Sequence, residues 1–220
     1  MATVDLAPYT LVIIASAQSD AFYTAWNASA ARFEAYVAGG GALWIGTATS
    51  TAGLTNPLLP GGVILNDDIY AQYGNVAAPG HPWVAGVPNP FAGLWASHGE
   101  FGNLYPGSIV VATSATTGNP TLVDYAYGSG RVLITSLTLE IAWDYGWDMA
   151  PILQNSLLDM YSAPSVDIPW LSEDPTSGQT WMGECATVTV QLSPSRSCAI
   201  GLPTMFDRPI TTASRPARLP

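Results

Sequence analysis

The chain has 220 residues, a formal net charge of −10, and 10% charged against 48% hydrophobic residues. That length buries one good core, and a mean hydropathy of +0.23 excludes a disordered chain. Lysine is absent and arginine scarce, so the clustered cations that phosphate affinity requires are missing and nucleic-acid binding is not expected.

The charge is unevenly placed. Residues 1–193 carry fifteen Asp/Glu against Arg32 and Arg131, whereas residues 194–220 carry Arg196, Arg208, Arg215 and Arg218 against Asp207. The acids are dispersed, which favours solubility rather than an acidic tail. Cys185 and Cys198 fit either a disulfide in an oxidising compartment or two free thiols. No Cys/His spacing suggests zinc, and no cofactor motif is present. No apolar run reaches 18 residues, so no membrane span is expected. Met1-Ala-Thr-Val-Asp5 lacks the basic start of a signal peptide. The chain therefore reads as cytoplasmic or as an internal piece of a longer secreted protein.

In chain order, Tyr9-Thr-Leu-Val-Ile-Ile-Ala-Ser16 reads as a strand covered on both faces. Phe22, Trp26, Ala30, Phe33 and Val37 recur at helical spacing, and Gly39-Gly-Gly41 stops that helix. Ala42-Leu-Trp-Ile-Gly46 is a second buried strand, so a right-handed parallel crossover is expected. Residues 47–80 read mostly as loop, with a short strand at Gly62–Asn66, and His81–Val87 opens another turn-rich stretch. Ser108–Thr113, Thr121–Tyr127 and Arg131–Ser136 are strands, and Met149–Tyr161 suits a closing helix with Pro151 in its first turn. After Ala163-Pro164, Ile168–Ser172 and Ala186–Leu192 alternate with period two. From Pro194 the pattern dissolves into an irregular Arg/Pro-rich tail.

Several segments carry a family likeness. Tyr9–Ile14, a helix ending in Glu34-Ala-Tyr-Val-Ala-Gly-Gly-Gly41, and Ala42–Ile45 resemble the central unit of class I glutamine amidotransferase-like domains. His81-Pro-Trp-Val-Ala-Gly-Val87 is similar to a segment of their ThuA-like relatives. Pro120–Tyr125, Gly128–Val132 and Leu137–Glu140 resemble the closing strands. The likeness covers about residues 5–162 and implies an α/β, flavodoxin-like fold: an open, mostly parallel sheet with helices on both faces. Family members usually carry a further strand and helix ahead of this segment, which implies an N-terminally truncated domain over 1–162. Residues 163–193 resemble the opening of an immunoglobulin-like repeat from large secreted bacterial proteins. That implies a partial C-terminal β segment, neighbouring domains of a longer chain and an extracellular setting, with the signal peptide lost by truncation.

Catalytic members of this superfamily carry a cysteine on the strand-to-helix turn that matches Ile45-Gly-Thr-Ala-Thr49, where none stands. Thr47 and Thr49 are nominal substitutes without an identifiable base, so glutamine hydrolysis is not expected. His81 and His98 are the only histidines. His81 is a ligand-contact candidate whose ordinary role is to hydrogen-bond its own loop. Trp95-Ala-Ser-His-Gly99 faintly resembles a nucleophile elbow, making Ser97 with His98 one catalytic candidate. Glu100 with Glu140 is another, as a glycosidase pair, if about 5–10 Å separates the carboxylates.

Glu140-Ile-Ala-Trp-Asp-Tyr-Gly-Trp-Asp148 follows the last strand, where open α/β sheets place ligands. Trp143, Tyr145 and Trp147 offer faces for sugar rings, with Asp144 and Asp148 as hydroxyl acceptors. The same aromatics also suit packing of the final helix. Asp67-Asp68 reads as a solvated loop pair rather than a metal site. The preferred expectation is a non-catalytic amidotransferase-like module that contacts carbohydrate. The rival is a hydrolase of a glycoside or ester using Glu140/Glu100 or Ser97/His98.

Overall fold

The computed structural model describes residues 4–49, 51 and 53–161, apart from the side chain of Leu94, together with the backbone of Thr187–Leu192 and Arg196–Gly201. Strand β1 (Tyr9–Ile14) lies parallel to β2 (Ala42–Gly46), with Leu11 opposite Ala42 and Ile14 opposite Ile45. Their apolar runs are covered on both faces because alternation divides them. Leu11, Ile13 and Trp44 enter one core cluster, while Val12, Ile14, Leu43 and Ile45 enter another.

The helix expected over residues 22–37 is two helices, α1 (Asp20–Asn27) and α2 (Ala30–Ala38). Ser19 Oγ caps α1 by accepting the Phe22 N–H at 3.2 Å. Across the break Trp26 stacks on Phe33, ring centroids 4.3 Å apart, and Trp26 Nε1 donates to Leu58 O.

The middle of the chain is strand-rich: β3 (Ile64–Val76), β4 (Phe91–Gly102), β5 (Ile109–Ser114), β6 (Pro120–Tyr127) and β7 (Gly130–Thr135). Gly130 is required where β7 begins, since a Cβ there would fall 2.2 Å from the carbonyl oxygens of Gly41 and Val37. Helices α3 (Leu139–Tyr145) and α4 (Ala150–Tyr161) follow. Residues of these two helices pack on the face that carries Leu11 and Trp44, and α1 and α2 pack on the other. Trp44 Nε1 donates to Ser156 Oγ at 3.1 Å, tying β2 to α4.

With β8 (Thr187–Leu192) and β9 (Arg196–Gly201), the strands form one sheet in the order β4-β3-β5-β6-β7-β2-β1-β9-β8. The expectation of a mostly parallel sheet is corrected. Only β9–β1, β1–β2 and β2–β7 are parallel, and the other five pairings are antiparallel. The parallel strands are those joined by long crossovers, whereas β5–β6 and β6–β7 return antiparallel through short turns and β3 returns as β4 after residues 77–90.

Strands β3 and β4 lie where the sequence reads as loop and turn. Both are irregular, with register shifts between Asn66 and Tyr70 and between Ala71 and Tyr73. Asp68 and Trp95 sit at φ 57° and 59°, which breaks period-two alternation.

Strand β9 covers the edge of β1, and Arg196–Gly201 is therefore a strand rather than the start of an irregular tail. Residues 162–186, 193–195 and 202–220 lie outside the described residues. So do the Ile168–Ser172 strand, the side chains of Cys185 and Cys198, and the immunoglobulin-like reading.

Candidate functional site

The carboxyl ends of β1, β2 and β7 bring three turns together: Ala15–Gln18, Thr47–Thr49 and Ser136–Glu140. Glu140 Oε1 accepts the Ser16 N–H at 2.8 Å. Gly46 allows that approach, because a Cβ would fall 2.5 Å from Ser16 Oγ and 2.9 Å from Ser16 N. Ala17 N–H donates to Ala48 O at 2.7 Å and holds φ 57°, a left-handed conformation uncommon for alanine.

Two hydroxyls beside this carboxylate, Ser16 Oγ and Tyr23 Oη, are buried and make no well-aligned hydrogen bond, the Gln18 N–H reaching the Tyr23 oxygen only loosely. Burial, the first cause, and the nearby Glu140 charge push the Tyr23 phenol up to about 12, so it remains a proton donor. Burial also raises the Glu140 carboxyl above its ordinary range, opposed by the N–H groups of Ser16 and of Glu140 itself. Ser16 Oγ is near enough to soften that shift but is not aligned to bond the carboxylate. Glu140 as a residue keeps intermediate exposure. The carboxyl group, which sets the pKa, is the part enclosed by protein. Neither Ser16 nor Tyr23 stood out in the sequence, although Ser16 lies in the turn after the first strand and Tyr23 in the helix that follows it, where the strand-end rule places ligands.

Strand β4 supplies one wall. Its backbone runs along the turn after β7: His98 N–H donates to Ser136 O and Thr138 N–H to Ala96 O. Thr138 Oγ1 donates to Trp95 O. His98 Nδ1 lies 2.8 Å from Thr49 O, so Nδ1 carries the proton and Nε2 is left as an acceptor. Burial lowers the His98 pKa and keeps the ring neutral at physiological pH. Tyr70, directly across the strand pair from His98, packs against that ring at 4.9 Å and against Trp95 at 6.1 Å, each edge-on.

Thr47, at the turn where the resemblance would put a nucleophile, is not poised for attack. Both its N–H and its Oγ1 donate to Thr135 O, at 2.7 and 3.1 Å. Among the described non-glycine residues, positive φ occurs at Ala17, Asp68, Trp95 and Asn103 and not at Thr47 or Thr49, so the turn lacks the strained geometry of a nucleophile elbow. Thr47→Val is expected to cost about 1 kcal/mol, the value of one buried hydrogen bond, and to leave ligand affinity unchanged. Thermal melts and calorimetric titration of that variant check both.

The other candidates disperse. Glu100 is buried in β4 and accepts from Thr117 Oγ1 and from Asn119 Nδ2, the latter at 2.7 Å, which ties down the β5–β6 turn. No contact links it to Glu140 among the described residues. Ser97 is buried with an unpartnered hydroxyl, and no hydrogen bond joins it to His98, its neighbour along the strand. His81 Nδ1 accepts the Trp83 N–H at 3.4 Å, so Nε2–H donates to Asp124 Oδ2 at 3.1 Å. Arg131 bonds both Asp124 oxygens and Asp159 Oδ2, and its guanidinium lies 4.9 Å over the Trp83 ring. Asp124 belongs to β6 and Arg131 to the start of β7, so this network sits at the opposite end of the sheet from Glu140. A cavity of about 560 Å³ opens at that end too, lined by Thr10, Gly41, Tyr125, Arg131 and Met160 among others.

The aromatic stretch is split. Trp143 and Trp147 pack partly against the core, and Tyr145 is 69% exposed with its ring stacked on Trp147 at 5.4 Å. Asp148 accepts the Ala92 N–H at 3.0 Å, and Asp144 is exposed. Asp67 and Asp68 border Tyr70, where their charges and burial raise its phenol pKa, burial first. Among the described residues no group of three or more His, Cys, Asp or Glu is gathered to hold a metal ion, and no helix is long and apolar enough to cross a membrane.

No protein-family model matches the chain. An uncharacterised protein of Clostridium acetobutylicum is 23% identical over 170 residues, which is 71% of this chain and 16% of that protein's length. The chain thus spans about a sixth of that relative. Among solved structures, a cytoplasmic protein of Salmonella typhimurium has a TM-score of 0.48 and 19% identity, covering 70% of this chain and 72% of its own. A second, from strain LT2, has a TM-score of 0.48 and 18% identity, covering 69% and 72%. The β-galactosidase of Rahnella sp. R3 has a TM-score of 0.48 and 19% identity, covering 78% of this chain and 26% of that enzyme. None of these likenesses carries a function to this chain. The expectation of an extracellular setting gains no support from these comparisons, in which the two Salmonella proteins are themselves described as cytoplasmic.

Proposed function

We propose that residues 4–161 form a non-catalytic module of the amidotransferase-like type that binds a neutral polyhydroxyl ligand, a carbohydrate, at the carboxyl ends of β1, β2 and β7. One observation carries this reading. The hydroxyl at the turn after β2 is engaged by Thr135 O, while the hydroxyls of Ser16 and Tyr23 beside Glu140 are buried with no well-aligned partner. Buried polar atoms are rarely left unpaired. Both hydroxyls are sealed from solvent, so a hydroxyl-rich ligand would satisfy them, and accept or donate at Glu140, by parting the three turns as it enters. No lysine stands in the chain, and Arg131 is engaged at the opposite end of the sheet, so an anionic ligand would meet Glu140 without the help of either.

The hydrolase reading keeps one supporting feature, the raised Glu140 carboxyl, which suits a general acid. It lacks a second group, since Glu100 holds a turn and Ser97 does not engage His98. A panel of chromogenic glycosides and esters, run beside calorimetric titration with simple saccharides, separates the two. Saturable binding without turnover is expected, and turnover abolished in Glu140→Gln with the fold intact would reverse the reading.

A further inference from the structure

Trp95 is an outlier on two counts. Its backbone holds φ 59°, where a bulky L side chain is strained, and its indole is 51% exposed rather than packed in the core. Neither feature helps folding: an exposed indole gains little from burial, and glycine would take this backbone freely. Strain of this kind persists where a particular side chain is needed at a site.

The surroundings indicate what it is needed for. Tyr70, at 36% exposure, stands edge-on to Trp95 with an interplanar angle of 78° and separates it from His98. The exposed indole therefore has an aromatic flank, with the acceptor Nε2 of His98 on the far side of Tyr70 and the Asp68 carboxylate near the Tyr70 hydroxyl. The Thr138 bonds to Trp95 O and Ala96 O fix this wall to the turn that ends in Glu140.

We propose that Trp95, flanked by Tyr70 and His98, is the stacking platform for a pyranose ring on the wall that leads to the Ser16, Tyr23 and Glu140 cluster. This rests on the carbohydrate reading above and moves the aromatic contact from α3 to β4. Apolar C–H faces of the sugar lie on the indole, and mixed donors and acceptors around it match vicinal hydroxyls, which a point cation would not require. Tyr145, whose ring stacks on Trp147, is not part of the platform.

The test is calorimetric titration of the full chain with methyl glucoside, methyl galactoside and methyl mannoside, and separately with tetramethylammonium, for wild type, Trp95→Gly and Tyr145→Ala. At least one glycoside is expected to bind wild type and Tyr145→Ala alike. Trp95→Gly should lose tenfold or more in affinity while its Tm stays level or rises, because glycine relieves the backbone. Unchanged affinity in a folded Trp95→Gly overturns the platform and leaves the carbohydrate reading standing. Tetramethylammonium binding that depends on Trp95, without glycoside binding, overturns the pyranose assignment. Failure of every glycoside on wild type sinks the carbohydrate reading itself and the platform with it.

Discussion

Asp124→Ala is expected to destabilise the protein by about 3 kcal/mol, a fall in Tm of roughly 6–12 °C. The carboxylate is 7% exposed and accepts from His81 Nε2 and from Arg131 Nε and Nη2. Its loss leaves the His81 N–H without an acceptor and Arg131 with Asp159 alone. Arg131 is 34% exposed, which lets water compensate part of the loss and keeps the figure at the low end for a buried pair. His81→Ala removes one hydrogen-bond donor to Asp124 and should cost only about 1 kcal/mol. Ligand affinity should be unchanged in both variants, since the network lies at the other end of the sheet. Urea or thermal unfolding gives the stability values, and a Tm for Asp124→Ala within a degree of wild type would show that the network does not hold the fold.

Glu140→Gln acts in the opposite direction on stability and removes function. The amide keeps an oxygen to accept the Ser16 N–H but carries no charge into the enclosed site. Because the folded pKa is raised from an ordinary 4.5, Glu140 contributes stability that is fully present below about pH 4.5 and is lost as the pH climbs through the folded value. A neutral amide at this position removes that loss. At pH 7 the variant is therefore expected to be more stable by about 1 kcal/mol, the usual gain when a functional group's cost is relieved. That corresponds to roughly 2–4 °C, and the two melting curves should converge near pH 4. Saccharide affinity should fall at least tenfold, because the charged acceptor between Ser16 and Tyr23 is lost. A variant no more stable than wild type at pH 7 would mean that Glu140 is not held at a cost.

The elements with simple patterns were legible in sequence. The β1 and β2 runs, the β6–β7 pair and α4 follow hydrophobic periodicity, and each lies within a residue or two of its expected place. Strands β3 and β4 were not legible. Their residues include Asn66-Asp67-Asp68, Gly74 and Gly99, which disfavour strands locally, and the pairing itself, with its shifted register, makes them strands. Glu140 could be nominated because it follows an evident strand. Ser16 and Tyr23 could not, since their significance is that their hydroxyls are poorly satisfied once buried, a property of three-dimensional packing. Trp95 was hidden differently: its sequence neighbourhood suggested Ser97 and His98, while its own left-handed backbone is invisible to pattern. The α3 aromatics were visible yet only half informative, because Trp143 and Trp147 divide between core and surface.

Where the ligand sits is the central question for this molecule. Backbone amide shifts followed by NMR during titration with a methyl pyranoside report it directly, because the Ser16 N–H bonds Glu140. Binding at the strand ends predicts saturable movement of the Ser16, Ala17 and Tyr23 amides while those of Tyr145 and Trp147 stay fixed. Movement confined to Tyr145 and Trp147, with Ser16 unmoved, would contradict it.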